Sequence, residues 1–308
     1  MSRSKTLLRD NSHVTLYFLG REALMKLRTY NLLTWIPHLF LFYNEKVFRK
    51  LLPITIIIVI YAVIIAYFFE NATRYNLGQF HLIFSFILTI VIGFRVNTSY
   101  SRWWEGRVLW GSIVNNCRNL GLKFDTYLGL QEYPEFYELL KKLPAIIKAH
   151  LRKDSSEVQT ELLSLCIHEF EGKQPVLLVT KKMYRMLNQL RQENKLTLEQ
   201  YLVLDNHLAN LIDMAGGCER IANTHVPPAF AFFVKQALLF YAIMFPFGWV
   251  DTFGFMIIPM MVMIVYILLG LEILSEDLEE PFGKEDNDLP LSAIAKNIAR
   301  NIDQIAER

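Results

Sequence analysis

The chain has 308 residues, 53% of them hydrophobic and 20% charged, with a formal net charge of +2. A water-soluble domain of this length is normally more polar, so part of the chain is expected in a membrane. The near-zero charge argues against a dedicated nucleic-acid binder with a basic face. No glycine-rich phosphate loop is present, which argues against a nucleotide-driven pump.

Residues 1–50 mix aromatic groups with basic ones running from Arg3 to Lys50, and no apolar core ends in a small-residue cleavage site. They are expected to be a cytoplasmic flank without a removable signal peptide. Leu51–Phe69 is an uncharged run of 19 residues, enough to cross a hydrocarbon core of about 30 Å. Pro53 sits in its first turn, where proline is tolerated. ENATRYNLGQ (70–79) forms the outer turn, and an uncharged second span runs from Phe80 to Phe94 before Arg95. Two stripes show on that span at a spacing of four: bulky Phe86, Ile90 and Phe94, and small or polar Ser85, Thr89, Gly93 and Asn97. Residues i and i+4 share a helix face, so the stripes run side by side. Small residues let membrane helices pack closely, which leaves the bulky stripe for lipid, a neighbour or a water-filled axis. Arg95, Arg102, Glu105 and Arg107 follow, with Trp103 and Trp104 among them, as expected of structural ion pairs in an interfacial belt.

Between Ser112 and His225 no apolar run reaches membrane length. Three sets of apolar residues at threes and fours predict amphipathic helices: Leu139, Leu140, Leu143, Ile146 and Ile147; Leu162, Leu163, Leu165 and Ile167; Leu198, Leu202, Leu208 and Leu211. A third span starts at Val226 and carries Lys235 near its inner end; Pro246 and Gly248 are expected to kink or end it, with WVDTFG (249–254) as the outer turn. Thr252–Leu271, an uncharged run of 20 residues, is the fourth span, and an acidic tail from Glu272 to Asp288 follows it. The expected organisation is therefore an N-terminal segment (1–50), transmembrane helices 1 and 2 (51–111), a helical cytoplasmic domain (112–225), transmembrane helices 3 and 4 (226–275) and a C-terminal segment (276–308). Both termini lie inside.

Catalysis and cofactors find no support. Cys117, Cys166 and Cys218 are widely spaced and make neither a disulfide framework nor a zinc knuckle. Cys166 with His168 is too little for a metal site, and His81, His150, His168, His207 and His225 stand in unrelated contexts. No enzyme, cofactor or metal centre is expected.

Three stretches, GFRVNTSYSRWWEGRVLWG (93–111), GGCERIANTHVPPAF (216–230) and EDLEEPFGKEDNDLPL (276–291), resemble in order the signatures of the bestrophin family of ion channels, its bacterial branch above all. The resemblance implies an all-α membrane protein that assembles as a homopentamer around a central pore in the lipid bilayer of the cell inner membrane. Phe86, Ile90 and Phe94 then line a hydrophobic neck of three layers about 6 Å apart, able to gate by dewetting. Glu199 matches the cytoplasmic aperture, a place usually held by an apolar side chain. PFGKEDNDLPL (281–291) resembles the acidic calcium clasp of animal members, but Lys284 interrupts the acids and Asn287 replaces one, so capping of the chain end and joining of subunits is the expected role. Animal members conduct chloride and bacterial ones prefer small monovalent cations. That likeness and the Glu199 carboxylate point to passive cation conduction, with an anion channel as the alternative. A membrane-anchored interaction protein that conducts nothing is the alternative of another class.

Overall fold

The computed structural model describes residues 46–68, 77–168 and 172–307. The basic flank up to residue 45, Phe69 and the outer turn over 70–76 lie outside the described residues. Among the described residues the chain is helical, with α1 (Lys46–Phe68), α2 (Gly78–Leu128), α3 (Pro134–Leu151), α4 (Ser155–Ser164), α5 (Pro175–Gln192), α6 (Leu198–Asn223), α7 (Pro228–Phe253), α8 (Ile257–Glu279) and α9 (Leu291–Ala306). Its contacts define two units, Met1–His81 with Ala242–Gly270, and Leu82–Tyr241 with Leu271–Arg308.

Several boundaries differ from the sequence reading. The second helix does not stop near Arg95. It is 51 residues long in all and runs to Leu128, through the polar stretch and past the boundary expected at 111. No proline or αL glycine interrupts it before Gly129, whose φ of 80° ends the helix, while Asp125 accepts a hydrogen bond from the Leu130 amide at 2.8 Å. Pro246 and Gly248 do not end α7, which runs on to Phe253. The turn falls instead at Gly254–Met256, where Gly254 takes φ 49°, and α8 starts at Ile257, so Thr252 and Phe253 belong to α7.

In the first unit, the Tyr61 hydroxyl donates to the Ile243 carbonyl at 2.8 Å, one turn before Pro246, and the Tyr61 and Phe247 rings meet edge-on. His81 is buried against the rings of Phe245 and Trp249 and fills the notch that Gly248 leaves open.

The second unit holds the main core. From α2 come Trp110, Ile113, Cys117, Leu120 and Phe124, spaced by threes and fours on one face. Helix α3 contributes Phe136, Leu139, Leu140, Leu143, Ile146 and Ile147, and Phe136 stacks on Phe124 with ring centroids 4.0 Å apart. Helices α4, α5 and α9 pack on α3, and α5 packs on α6. Helix α5 has no counterpart in the sequence reading, although Val176, Val179, Met183, Leu187 and Leu190 carry the same spacing. Polar caps fix where the helices start. Asp154 accepts from the Glu157 amide at 3.2 Å, Gln174 from the Leu177 amide, and Thr197 forms a capping box with Gln200. Cys117 and Cys218 are buried thiols pushed up to about 12, which makes them packing residues.

Candidate functional site

The site is built on the stretch of α2 from Leu82 to Trp104. On one side Leu88, Ile92, Arg95 and Ser99 are buried, and Phe84 stacks on Tyr241 of α7 with centroids 5.8 Å apart. On the other side Phe86, Ile90 and Phe94 are 68%, 43% and 65% exposed. Three large apolar side chains thus share a face that the other described residues leave largely exposed. The small stripe is bare as well: Thr89, Gly93 and Asn97 are exposed, and no atom lies within 4 Å of where a Gly93 Cβ would stand. Of that stripe only Ser85 is half-buried among the described residues.

Arg95 follows Phe94 about 100° around the helix and points into the subunit. Its guanidinium is 1% exposed and reaches Glu272 of α8, with Nε to Oε2 at 3.4 Å, and it also pairs with Glu279. Ser99 donates to a Glu279 carboxylate oxygen at 3.4 Å. Arg102 reaches the Glu279 carbonyl at 3.4 Å and the Ile221 carbonyl at 2.8 Å, in the last turn of α6, where a cation suits the free carbonyls. Glu105 pairs with Arg220, and the Trp103 indole donates to the Asn287 carbonyl at 3.0 Å. The expected ion pairs form for Arg95 and Glu105, Arg102 is held by backbone carbonyls instead, and Arg107 is exposed. Tyr100 stacks against Trp103 and Trp104, and Trp104 is half exposed.

Glu199 stands in the first turn of α6, exposed, inside the Thr197–Gln200 capping box. Its own amide and the Thr197 hydroxyl hold its carboxyl below the usual range, so it is ionised at neutral pH. Leu198 and Leu202 beside it, expected in the core, are 48% and 53% exposed. The buried face of α6 runs through Leu204, Leu208, Leu211, Ala215 and Cys218, and Leu202 lies on the far side of the helix from Leu204. Replacing Thr197 by alanine is expected to lower thermal stability by about 1 kcal/mol, the usual worth of such a cap. Thermal unfolding in detergent checks it.

The loop 281–291 closes on itself, the Leu289 amide donating to the Pro281 carbonyl at 2.8 Å. Asp288 accepts from the Glu285 amide at 2.6 Å, and its carboxyl is held above the usual range by burial first, then by Glu285 and Asp277. Lys284 turns away toward Asp154 at 3.3 Å, and Asn287 donates to Asp277 at 3.4 Å. Arg152 donates to the Phe282 carbonyl at 3.1 Å, which ties the loop to the end of α3. Among the described residues no group of three or more His, Cys, Asp or Glu side chains is placed to hold a metal ion. Cys166 and His168 are both exposed.

One polar cluster had no signal in the sequence. His207 of α6 is buried between Lys123, 2.7 Å from Nε2, and Asn116, 3.0 Å from Nδ1, both on α2. The ammonium must donate to Nε2, so Nδ1 carries the proton and donates to Asn116, and the ring is neutral. Burial and then Lys123 hold His207 below its ordinary 6.5. The unfolded chain takes up this proton near the ordinary value while the folded chain does not, so stability falls as pH drops through that value. The melting temperature is expected to be lower at about pH 5.5 than at about pH 7.5, with a smaller difference in His207→Gln.

Among the described residues Arg49–Phe68, Gly78–Leu128 and Pro228–Glu279 are long and apolar enough to cross a membrane. With the uncovered apolar face of α2 they define an all-helical membrane protein. The chain matches the bacterial and fungal bestrophin family over residues 25–304. It is 34% identical to a voltage-dependent anion channel-forming protein of Nostoc sp. over 72% of this chain and 75% of that one. A protein of the same description from Mesorhizobium japonicum is 31% identical over 84% and 85% of the two chains. A crystal structure of a bacterial bestrophin homolog from Klebsiella pneumoniae superposes with a TM-score of 0.77 at 28% identity, over 86% of this chain and all of that one. The chain belongs to the bestrophin family, whose members are ion channels and not enzymes.

Proposed function

We propose that copies of this chain assemble as a homopentamer in the cell inner membrane, each with four membrane-spanning helices (51–68, 80–95, 228–253 and 257–271) and both termini in the cytoplasm. The α2 segments surround one axis and conduct small monovalent ions passively. The carrying observation is the face of Phe86, Ile90 and Phe94, more than two-fifths exposed at each position among the described residues. A single helix cannot enclose water, whereas a ring of these side chains makes a dry constriction that gates by dewetting. The small stripe beside it then serves packing between subunits. The segments 112–225 and 276–308 form the cytoplasmic part, with Glu199 at a second, inner aperture.

The permeant ion is proposed to be an anion. The descriptions of the relatives favour this and run against the cation preference expected from Glu199. Cation conduction stays as the second reading because Glu199 is exposed and ionised, and a ring of carboxylates attracts cations. Reconstituted protein in a planar bilayer under a potassium chloride gradient separates them: a reversal potential near that of chloride supports the first reading, and one near that of potassium the second. Proteoliposomes that pass no ions would sink both.

A further inference from the structure

We propose that the buried cluster of Arg95, Glu272 and Glu279 is a latch that sets the rotation of the neck helix, so that Arg95 acts on conduction as a positioning residue and not as a charge on the ion path. This rests on the reading of Phe86, Ile90 and Phe94 as the neck.

Adjacent residues of a helix point about 100° apart. Arg95 is 1% exposed where Phe94 is 65% exposed, so the inward direction of one determines the outward direction of the other. Glu272 and Glu279 lie two turns apart on α8, and Arg95 reaches both. Ser99, one turn further along α2, binds the same Glu279 carboxylate at 3.4 Å, so two successive turns of the neck helix engage α8.

Arg95 of α2 faces Glu272 and Glu279 of α8, Lys235 of α7 pairs with Glu276, and Arg102 donates to the Glu279 backbone carbonyl. A buried ion pair adds little net stability over apolar packing, yet removing its geometry leaves uncompensated charge inside. Rotation of α2 away from this position strands Arg95 and Glu272 together. The cost falls on alternative rotations, which is how a latch differs from a simple brace.

The test uses the full chain in planar bilayers under a salt gradient. In E272Q/E279Q, single-channel dwell times are expected to shorten severalfold, as α2 loses its one preferred rotation, with the reversal potential unchanged. Glu279→Asp, which keeps the charge, is expected to restore dwell times close to those of the parent chain. In Arg95→Gln the reversal potential also stays, because the guanidinium does not face the ions. Should the double variant elute as aggregate, Glu279→Gln at the more exposed partner carries the same test. Parent-like dwell times in the glutamine variants, or a shifted reversal potential in Arg95→Gln, would overturn the latch while leaving the channel standing. A parent chain without current would instead overturn the channel reading and the latch with it.

Discussion

Phe86→Ala, Ile90→Ala and Phe94→Ala combined raise open probability or unitary conductance by roughly tenfold, equal to about 1.4 kcal/mol removed from the barrier of the neck. A narrow passage lined by large apolar groups excludes water because ions and their hydration shells find no polar partner there. Alanine keeps the helix, being its best former, but widens each ring and removes most of the apolar surface. The loss of packing within one chain is modest, since Phe86 and Phe94 are about two-thirds exposed and Ile90 is 43% exposed. The control is Leu88→Ala, one helix face away and 3% exposed. It is expected to lower thermal stability by cavity formation and to leave the conductance of surviving channels alone. Single-channel recordings decide, and unaltered currents in the triple variant would count against the neck.

The face that carries this prediction was legible because it needs only the helical repeat. Bulky residues at 86, 90 and 94 lie on one side in any helix, and the uncharged runs announced a membrane without reference to contacts. What the repeat could not report is which side the chain covers with its own residues. Leu198 and Leu202 show the limit: their spacing is that of a core stripe, but α6 buries the opposite side through Leu204, Leu208 and Leu211. The length of α2 was hidden for a different reason. Its apolar pattern fails over NTSYSRWWEGR, where polar side chains find partners on α6, α8 and the 281–291 loop, and only the stop signal at Gly129 marks the true end. Pro246 misled in the other direction, since a membrane helix absorbs a proline by satisfying the freed carbonyl elsewhere.

Polar partnerships over long sequence separations left no trace in spacing at all. Glu272 and Glu279 read as the start of an acidic tail, whereas they lie in the last turns of α8, Glu272 buried and Glu279 half-buried, and both meet the guanidinium of Arg95, 177 residues before Glu272. His207 looked like one histidine among several, and only the packing of α6 on α2 joins it to Lys123 and Asn116. The fold class could thus be read from local pattern, while the groups that hold the site in place had to be seen.

Glu199→Lys moves the reversal potential toward that of the anion, by tens of millivolts out of the about 59 mV that a tenfold gradient of a monovalent ion can set. The direction holds whichever ion the parent channel prefers, because in the proposed inner aperture a ring of carboxylates becomes a ring of ammonium groups. Glu199 is suited to such a swap. It is exposed, and its hydrogen bonds run to its own first turn and not to another helix. Lysine at that turn loses the favourable contact of an acid with the helix N-terminus, a cost of about 0.3–1 kcal/mol that the fold can bear. Glu199→Gln separates charge from shape and is expected to give about half the shift. Fivefold repetition amplifies the effect in the proposed pentamer, and high salt reduces it, since exposed charges are screened within about 8 Å at physiological ionic strength. A reversal potential that stays put in both variants at low salt would remove Glu199 from the conduction path, and with it the carboxylate ring that carries the cation reading.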